Sequence, residues 1–376
     1  MTHPISSLVL VGAPPPPFHG QAVVTQNVFE LNFGEVDVKR CNLRFSENIN
    51  EVGSFGLSKL KVLCKGGIQL LIYRLCFLGK NPVLYYCAGS ANWIPLLKDF
   101  VLLGIVGRLY SRRVVHFHSG GLPEWFQQNR LAQVIGFFTY AGIARSIALT
   151  HAVQVPVFGK TEKLIVRNGL FVDEVTRADF NQKVEEDREV RFLYLGSLIE
   201  SKGVGLIIEA AQYLQNMDFS DQQNWSITFA GKWANEKEKA EWDAYILTHN
   251  LGGVIKFVGQ VVGSEKWQLF KEHDVFIFPS FYPNENQPLV LIEAMGSSLP
   301  IIASRWRGIP EMIDEGEYGI FIESNSPDAV SSAMSKFLDS KFDFDNWRLA
   351  ARKRYEEDYS LERFGSQIWK SICQWD

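Results

Sequence analysis

The 376-residue chain is 46% hydrophobic and 21% charged, with a formal net charge of −4; at roughly 150 residues per domain this exceeds one core and predicts two domains of an ordinary globular protein. Five cysteines (Cys41, Cys64, Cys76, Cys87 and Cys373) show neither C-x-x-C pairing nor zinc-ribbon spacing, which argues against a zinc framework and reads as reduced cytosolic thiols. Charge is uneven: residues 1–178 hold 18 Lys and Arg against 10 Asp and Glu, net +8, and the remainder is net −12, an asymmetry that fits an anionic partner for the first half, nucleic acid or an acidic membrane surface, or else a solvated basic face.

The first apolar run, SLVLVG, predicts a strand, and a helix-competent segment, QAVVTQNVFEL, starts just past Gly20. Between them stands APPPPFHG. In many α/β proteins this turn is a Gly-rich loop whose N–H groups hold a phosphate. Pro14, Pro15, Pro16 and Pro17 have no N–H to offer, so a nucleotide pocket is expected elsewhere. The four prolines are expected to form a stiff extended strut of roughly 12 Å at about 3.1 Å per residue. MTHPISSLVLVG has no basic region ahead of its apolar run, against a secretory leader. The two best candidates for a membrane span, GGIQLLIYRLCFLG and WIPLLKDFVLLGIVGRLY, are interrupted by Arg74 and by Lys98, Asp99 and Arg108.

Short apolar runs alternate with amphipathic stretches throughout: SLVLVG, GEVDVKR, PVLYYC, RVVHFH, SIALT and KLIVRN, then RFLYLG, WSITFAG, VIKFVG, DVFIFPS, LPIIAS and YGIFIE. This pattern is that of parallel strands buried on both faces in βαβ units. The polar segment Asp173 to Val190 separates the two series as a linker, giving domains of 1–178 and 179–357. In open α/β sheets ligands sit beyond the C-terminal strand ends.

Three constellations could carry chemistry. In DVFIFPSFYPNENQPLVLIEAMGSSLPIIAS a strand leads through a polar loop to a helix starting near Pro288, with Glu285 in the loop and Glu293 inside an otherwise apolar helix. A carboxylate so placed needs a partner, a ligand hydroxyl or an internal group, and the helix N-terminus between the two glutamates suits phosphates. In RFLYLGSLIESKGVGLIIEAAQYL, Lys202 precedes a helix and could neutralise a phosphate or simply be solvated. In VVHFHSGGLPEW, His116 and His118 point to one face of a strand, and no third ligand at metal-like spacing accompanies them.

GSLIESKGV, the E-x7-E spacing of ENQPLVLIE followed by AMGSSLPII, IVRNG at Ile165 to Gly169 and HFH together resemble the retaining glycosyltransferases of family four, over the whole chain and in order. The resemblance implies the α/β GT-B fold, two Rossmann-like doubly wound parallel-sheet domains with an interdomain cleft. It implies a C-terminal helix (358–376) that packs back on the first domain. It places the nucleotide-sugar donor on the second domain, with Glu285 at the sugar, Glu293 at the ribose, Lys202 at the diphosphate and Gly196, Ser197, Asn286, Gln287, Pro288 and Leu289 around it. His118 contacts the sugar near the reacting centre, and the proline loop with Gly20 shapes the acceptor side. Catalytic candidates are His118, Lys202 and Glu285, with no metal and no cofactor beyond the donor as substrate.

Two departures matter. Ser197 stands where the family usually has Arg, and Asn286-Gln287-Pro288 replaces the usual Gly-containing loop. Arg307, beside Gly308 at the end of LPIIAS, is the candidate to supply the missing charge. The function that the resemblance and the charge imply is transfer of a hexose from a nucleotide diphosphate sugar to a glycan acceptor such as a lipid-linked glycan, in bacterial surface polysaccharide (O-antigen, capsule or exopolysaccharide) biosynthesis, by a cytoplasmic enzyme peripheral to an anionic membrane surface and without nucleic acid. The alternatives are a GT-B-fold sugar-nucleotide epimerase and a non-catalytic sugar-nucleotide-binding subunit.

Overall fold

The computed structural model describes residues 5–45, 57–172, 189–217, 224–323 and 325–375. The chain divides into two compact units, Met1–Leu170 with Tyr359–Asp376, and Phe171–Asp358. The boundary expected at 178/179 and nearly all of the expected linker lie outside the described residues.

In chain order the first unit contains β1 (Ser7–Gly12), α1 (Gly20–Glu30), β2 (Asp37–Asn42), α2 (Leu57–Cys76), β3 (Val83–Cys87), α3 (Trp93–Asp99), β4 (Arg112–His116), α4 (Leu122–Gln128), α5 (Arg130–Tyr140), β5 (Arg145–Ala148) and β6 (Glu162–Ile165). A wide turn, Phe100–Ile105, and a 3-10 turn, Val106–Leu109, continue from α3. The second unit contains β7 (Val190–Leu195), α6 (Val204–Asn216), β8 (Trp225–Ala230), α7 (Glu236–Thr248), β9 (Ile255–Gly259), α8 (Ser264–Glu272), β10 (Val275–Phe278), α9 (Leu289–Gly296), β11 (Ile301–Ser304), β12 (Gly319–Ile322), α10 (Pro327–Phe337) and α11 (Phe344–Arg354). Helix α12 (Leu361–Cys373) then belongs to the first unit.

Each unit is built on a six-stranded sheet, in the orders β2-β1-β3-β4-β5-β6 and β12-β11-β10-β7-β8-β9. Every pairing among these strands is parallel. Central strands such as β1 and β3 are buried along their whole length, because crossover helices cover both faces of a parallel sheet. The edge strand β2, DVKRCN, is charged and mostly open to solvent, which blunts an edge against further pairing. In both sheets the winding direction reverses once, between β1 and β3 and between β7 and β10. At such a switch point the loops leaving two neighbouring strands diverge and leave room for a ligand.

The proline run differs from expectation. The Pro15–Pro16 and Pro16–Pro17 peptide bonds are cis, so the segment is not the extended strut that an all-trans run would give.

Helix α12 is capped by Ser360, whose side chain accepts from Arg363 N. Arg145 on β5 donates to the Ser371 carbonyl at 2.9 Å and to Glu162 at 2.7 Å, and its guanidinium lies 4.1 Å from the Trp375 ring centroid. The covered end of the first sheet therefore depends on a cation buried among carbonyls and an aromatic face.

A fully buried carboxylate organises the middle of the first unit. Asp99, at the end of α3, accepts from Tyr86 Oη at 2.7 Å, Tyr140 Oη at 2.8 Å and Gly89 N at 2.8 Å, and pairs with Lys98 at 3.1 Å. It joins β3, α5 and the loop after β3. Asp99→Ala strands two buried hydroxyls and is expected to cost about 3 to 5 kcal/mol in urea unfolding. Asp99→Asn keeps an acceptor and is expected to lose less than half of that; equal losses for the two variants would remove the carboxylate from this role.

Candidate functional site

The richest polar cluster of the second unit stands at the switch point between β7 and β10. Strand β10 ends at Phe278, and the chain continues through Pro279-Ser280 into the loop that carries Glu285. The segment after β7 runs through Gly196 and Ser197 into a 3-10 turn, Glu200–Lys202. These two segments interlock. Phe281 N donates to Ser201 O at 2.9 Å, and Gly203, at φ +79°, lies so close to the other loop that a Cβ there would come within 2.3 Å of the Pro279 carbonyl. Only glycine meets both conditions.

The interlock sets Lys202 against Glu285. Lys202 Nζ forms an ion pair with Glu285 Oε2, and the same oxygen accepts from Ser280 Oγ at 2.9 Å. The ammonium lies 5.1 Å from the Phe278 ring centroid and 4.9 Å from that of Tyr282. Both side chains are largely buried, 18% and 9% exposed. Lys202 is therefore neither a solvated lysine nor part of α6: it ends the 3-10 turn, and Gly203 separates it from the helix, which starts at Val204. Tyr194 closes the floor, donating to Ser197 O at 2.9 Å; burial and the nearby Glu285 charge raise its pKa.

Helix α9 begins one residue later than expected, because Pro288 has ψ 122° and serves as its cap, with its carbonyl accepting from Leu291 N. No side chain caps this end. Asn286, Gln287 and Pro288, ahead of Leu289, are buried. Glu293 has the internal partner that its burial demands: Oε1 accepts from Lys266 Nζ of α8 at 2.8 Å. Burial raises the Glu293 pKa and the lysine opposes that shift.

The loop after β11 adjoins that of β10. Ser304 Oγ donates to the Ser280 carbonyl, and Trp306 Nε1 donates to the Tyr282 carbonyl at 2.8 Å. Arg305 is engaged by Glu315 and Glu323 at 2.7 and 2.8 Å. Arg307 is half-buried, at φ +50°, with its guanidinium 5.7 Å from the Trp306 ring. A non-glycine residue held left-handed beside a polar cluster is the kind of strain that accompanies function.

In the first unit β4 stops at His116, where pairing with β5 ends at Ile147, so His118 lies on the loop rather than on the strand. Their rings still face each other, 4.0 Å apart. His116 Nδ1 is hydrogen-bonded to Tyr85 Oη at 2.6 Å, and Cys87 Sγ donates toward the same oxygen at 3.8 Å. Burial pushes His118 down to about 3, with His19 adding to the shift, and pushes His116 well below 6.5. Gly20 is the first residue of α1, whose cap is His19. Among the described residues no group of three or more His, Cys, Asp or Glu side chains is disposed to hold a metal ion.

The switch point of this sheet holds a cavity of about 230 Å³ between the loops after β1 and β3. Gln21 Nε2 ties the two loops through the Ala88 carbonyl at 2.9 Å. Its wall is mainly apolar, with Pro16, Pro17, Leu60, Leu63 and Leu97, and three cations, Arg44, Lys59 and Lys98, stand around it. This pocket and Lys266 were not legible beforehand, because they are assembled from elements distant in sequence; Ser280 stands only five positions before its partner Glu285 and was not singled out. The signal that could have found Ser280 is a hydroxyl at a C-terminal strand end.

Comparison with known proteins accords with this arrangement. Residues 175–354, nearly all of the second unit, match the family model of glycosyl transferases group 1. The amylovoran biosynthesis glycosyltransferase AmsK of Erwinia amylovora is 27% identical over 256 residues, covering 66% of this chain and 57% of the relative. The chain spans about half the length of the curated relatives it matches. Among solved structures, sucrose-phosphate synthase of Thermosynechococcus elongatus superposes with a TM-score of 0.67 at 16% identity, over 96% of this chain and 97% of that one. The Anabaena protein HepE, solved with UDP and glucose, gives 0.66 at 15% identity, over 97% and 98%. At these identities the likeness is one of fold, the α/β GT-B fold of two doubly wound units.

The buried histidines give the first unit an acid limit. His116 is neutral when folded, and the unfolded chain takes up the proton first as pH falls. The stability this contributes is present above about pH 6.5 and is lost as pH falls toward the depressed folded value. Wild type should therefore lose urea stability between pH 7.5 and 5.5 more steeply than His116→Phe, which keeps a ring but cannot titrate. Parallel pH dependences would refute this, since Tyr85, Cys87 and His118 face the same site in both proteins.

Proposed function

We propose that the protein transfers a hexose from a nucleoside diphosphate sugar to a hydroxyl of a glycan acceptor, with retention at the anomeric carbon, in the assembly of a bacterial surface polysaccharide. The observation that carries this is the buried Lys202–Glu285–Ser280 cluster at the switch point of the unit whose sequence matches glycosyl transferases group 1. The names of the relatives, amylovoran biosynthesis among them, support the polysaccharide context.

In this scheme the donor diphosphate takes Lys202 and the uncapped N-terminus of α9, with Asn286, Gln287, Pro288 and Leu289 around it. Gly196 and Ser197 let the donor approach the backbone. Glu285 exchanges part of its bond to Lys202 for the donor sugar, and Glu293 turns from Lys266 to the ribose. The bond between the anomeric carbon and the diphosphate oxygen breaks, with its electron pair staying on that oxygen. The acceptor oxygen bonds to the same face of the carbon, and its proton passes to the departing phosphate. Lys202, Arg307 and the α9 dipole oppose the charge that develops. The scheme assigns His118, in the loop after β4, to the sugar near the reacting centre, and Gly20, the first residue of α1, to the acceptor side. Apolar walls and three cations suit an acceptor bearing both phosphate and an apolar chain, the character of a lipid-linked glycan. No metal and no cofactor enters this scheme.

Thermal-shift measurements with UDP-, GDP- and ADP-sugars are expected to give stabilisation by one of them. Glu285→Ala is expected to lower kcat at least tenfold, about 1.4 kcal/mol in barrier, with melting confirming a folded protein. Transfer at the wild-type rate in a folded Glu285→Ala protein would end the assignment.

Arg307 is tested separately. At saturating donor, Arg307→Ala should reduce kcat far more than Ser197→Ala, and adding Ser197→Arg to it should restore part of the loss. An unchanged kcat in Arg307→Ala would leave Lys202 and the helix end as the phosphate stabilisers.

A further inference from the structure

One surface of the first unit is apolar where a solvated helix layer would be polar. Helix α2 packs against the 3-10 turn Val106–Leu109, and α5 against the wide turn Phe100–Ile105, so the three segments lie side by side. Their outer sides carry Ile68, Leu71, Leu75, Ile105, Leu131 and Phe137, 42% to 64% exposed. On α2 the inward arc is apolar as well: Leu70 is fully buried, and Tyr110 Oη donates to its carbonyl. The outer stripe therefore does not serve the core. At 100° per residue, Leu60, Leu71, Leu75, Ile68 and Ile72 fall within one arc of about 120°, along a helix of roughly 30 Å.

Charge selects the occupant. Residues 57–80, 100–113 and 130–145 contain ten Lys and Arg, of which Arg113 and Arg145 are buried, and no Asp or Glu. Lys61, inside the arc of the α2 stripe, and Lys65, at its border, are exposed, and Lys80, Arg108 and Arg130 are exposed near its neighbours. Two copies of this chain meeting through such a face would bring like charges together. An anionic bilayer supplies an apolar layer beneath a negative surface, which matches both features. Among the described residues no helix is long and apolar enough to cross a membrane, so the geometry is that of a helix lying in the interface.

We propose that the face formed by α2, the turns after α3 and α5 docks the first unit onto an anionic lipid bilayer, the aliphatic stripe entering the headgroup layer and the cations meeting lipid phosphates. This goes beyond the transfer reaction and is measured with neither donor nor acceptor present.

The test is co-sedimentation of the full chain with vesicles of equimolar phosphatidylglycerol and phosphatidylcholine, and with phosphatidylcholine alone. Wild type should bind the anionic vesicles, more weakly as salt rises, and pure phosphatidylcholine at least tenfold less. Lys61→Glu with Lys65→Glu should weaken anionic binding by roughly tenfold or more, at about 1 kcal/mol per charge near the surface. The triple variant Leu71→Gln, Ile72→Gln, Leu75→Gln changes exposed side chains only; it should melt as wild type does and bind roughly tenfold less. Equal partition onto both vesicle types, or triple-variant binding equal to wild type, overturns the proposal. So does a vesicle-free dimer that the triple variant dissolves, since the face would then join two copies of this chain.

Discussion

Parallel pairing constrains everything else in this molecule. A strand that runs beside its neighbour in the same direction must return through a crossover, and the crossovers bury both faces of the sheet. Polar chemistry is thereby pushed to the loops at the C-terminal strand ends, and most of all to the two places where the winding reverses. The Lys202–Glu285–Ser280 cluster and the cavity of the first unit are found there. In the second unit the loops after β7 and β10 are drawn together by Gly203 against Pro279 and by the bond from Phe281 N to Ser201 O. In the first, the loops after β1 and β3 are joined through Gln21 and the Ala88 carbonyl.

The buried charges of the second unit come in matched pairs. Lys202 with Glu285 and Lys266 with Glu293 each set a cation and an anion into surroundings that exclude most water, where an isolated charge would be prohibitive. A ligand that arrives with its own anion and hydroxyls can take over one member of each pair without leaving the other stranded. Burial raises the pKa of Glu293 while Lys266 opposes it.

Much of this was legible in the sequence, for identifiable reasons. Each of the twelve runs became a strand; most of them are buried on both faces, which writes a continuous hydrophobic word that needs no partner to be recognised, whereas β2, β6 and β9 are partly open to solvent. Glu293 declared its need for a partner by standing in LVLIEAM, whereas Lys266, 27 positions away on another helix, left no local trace. Asp99 looked like an interruption of an apolar tract and is in fact the acceptor on which two tyrosines converge. The histidine pair was expected on one strand; the ladder ends at His116, and it is the loop that brings His118 back over its ring. The cis bonds of the proline run have no counterpart in composition or spacing.

The return of α12 bears on how the chain is made. The second unit is one uninterrupted stretch, Phe171–Asp358, whereas the first is split and closes only with Tyr359–Asp376. Its anchor, from Arg145 to the Ser371 carbonyl, bridges 226 positions. On a ribosome the early segment emerges first yet lacks its last helix, so the later unit is the first whose full complement of partners is available. Until α12 arrives, the Arg145 guanidinium has neither the Ser371 carbonyl nor the Trp375 ring, and the unit begun before the second is completed only after it.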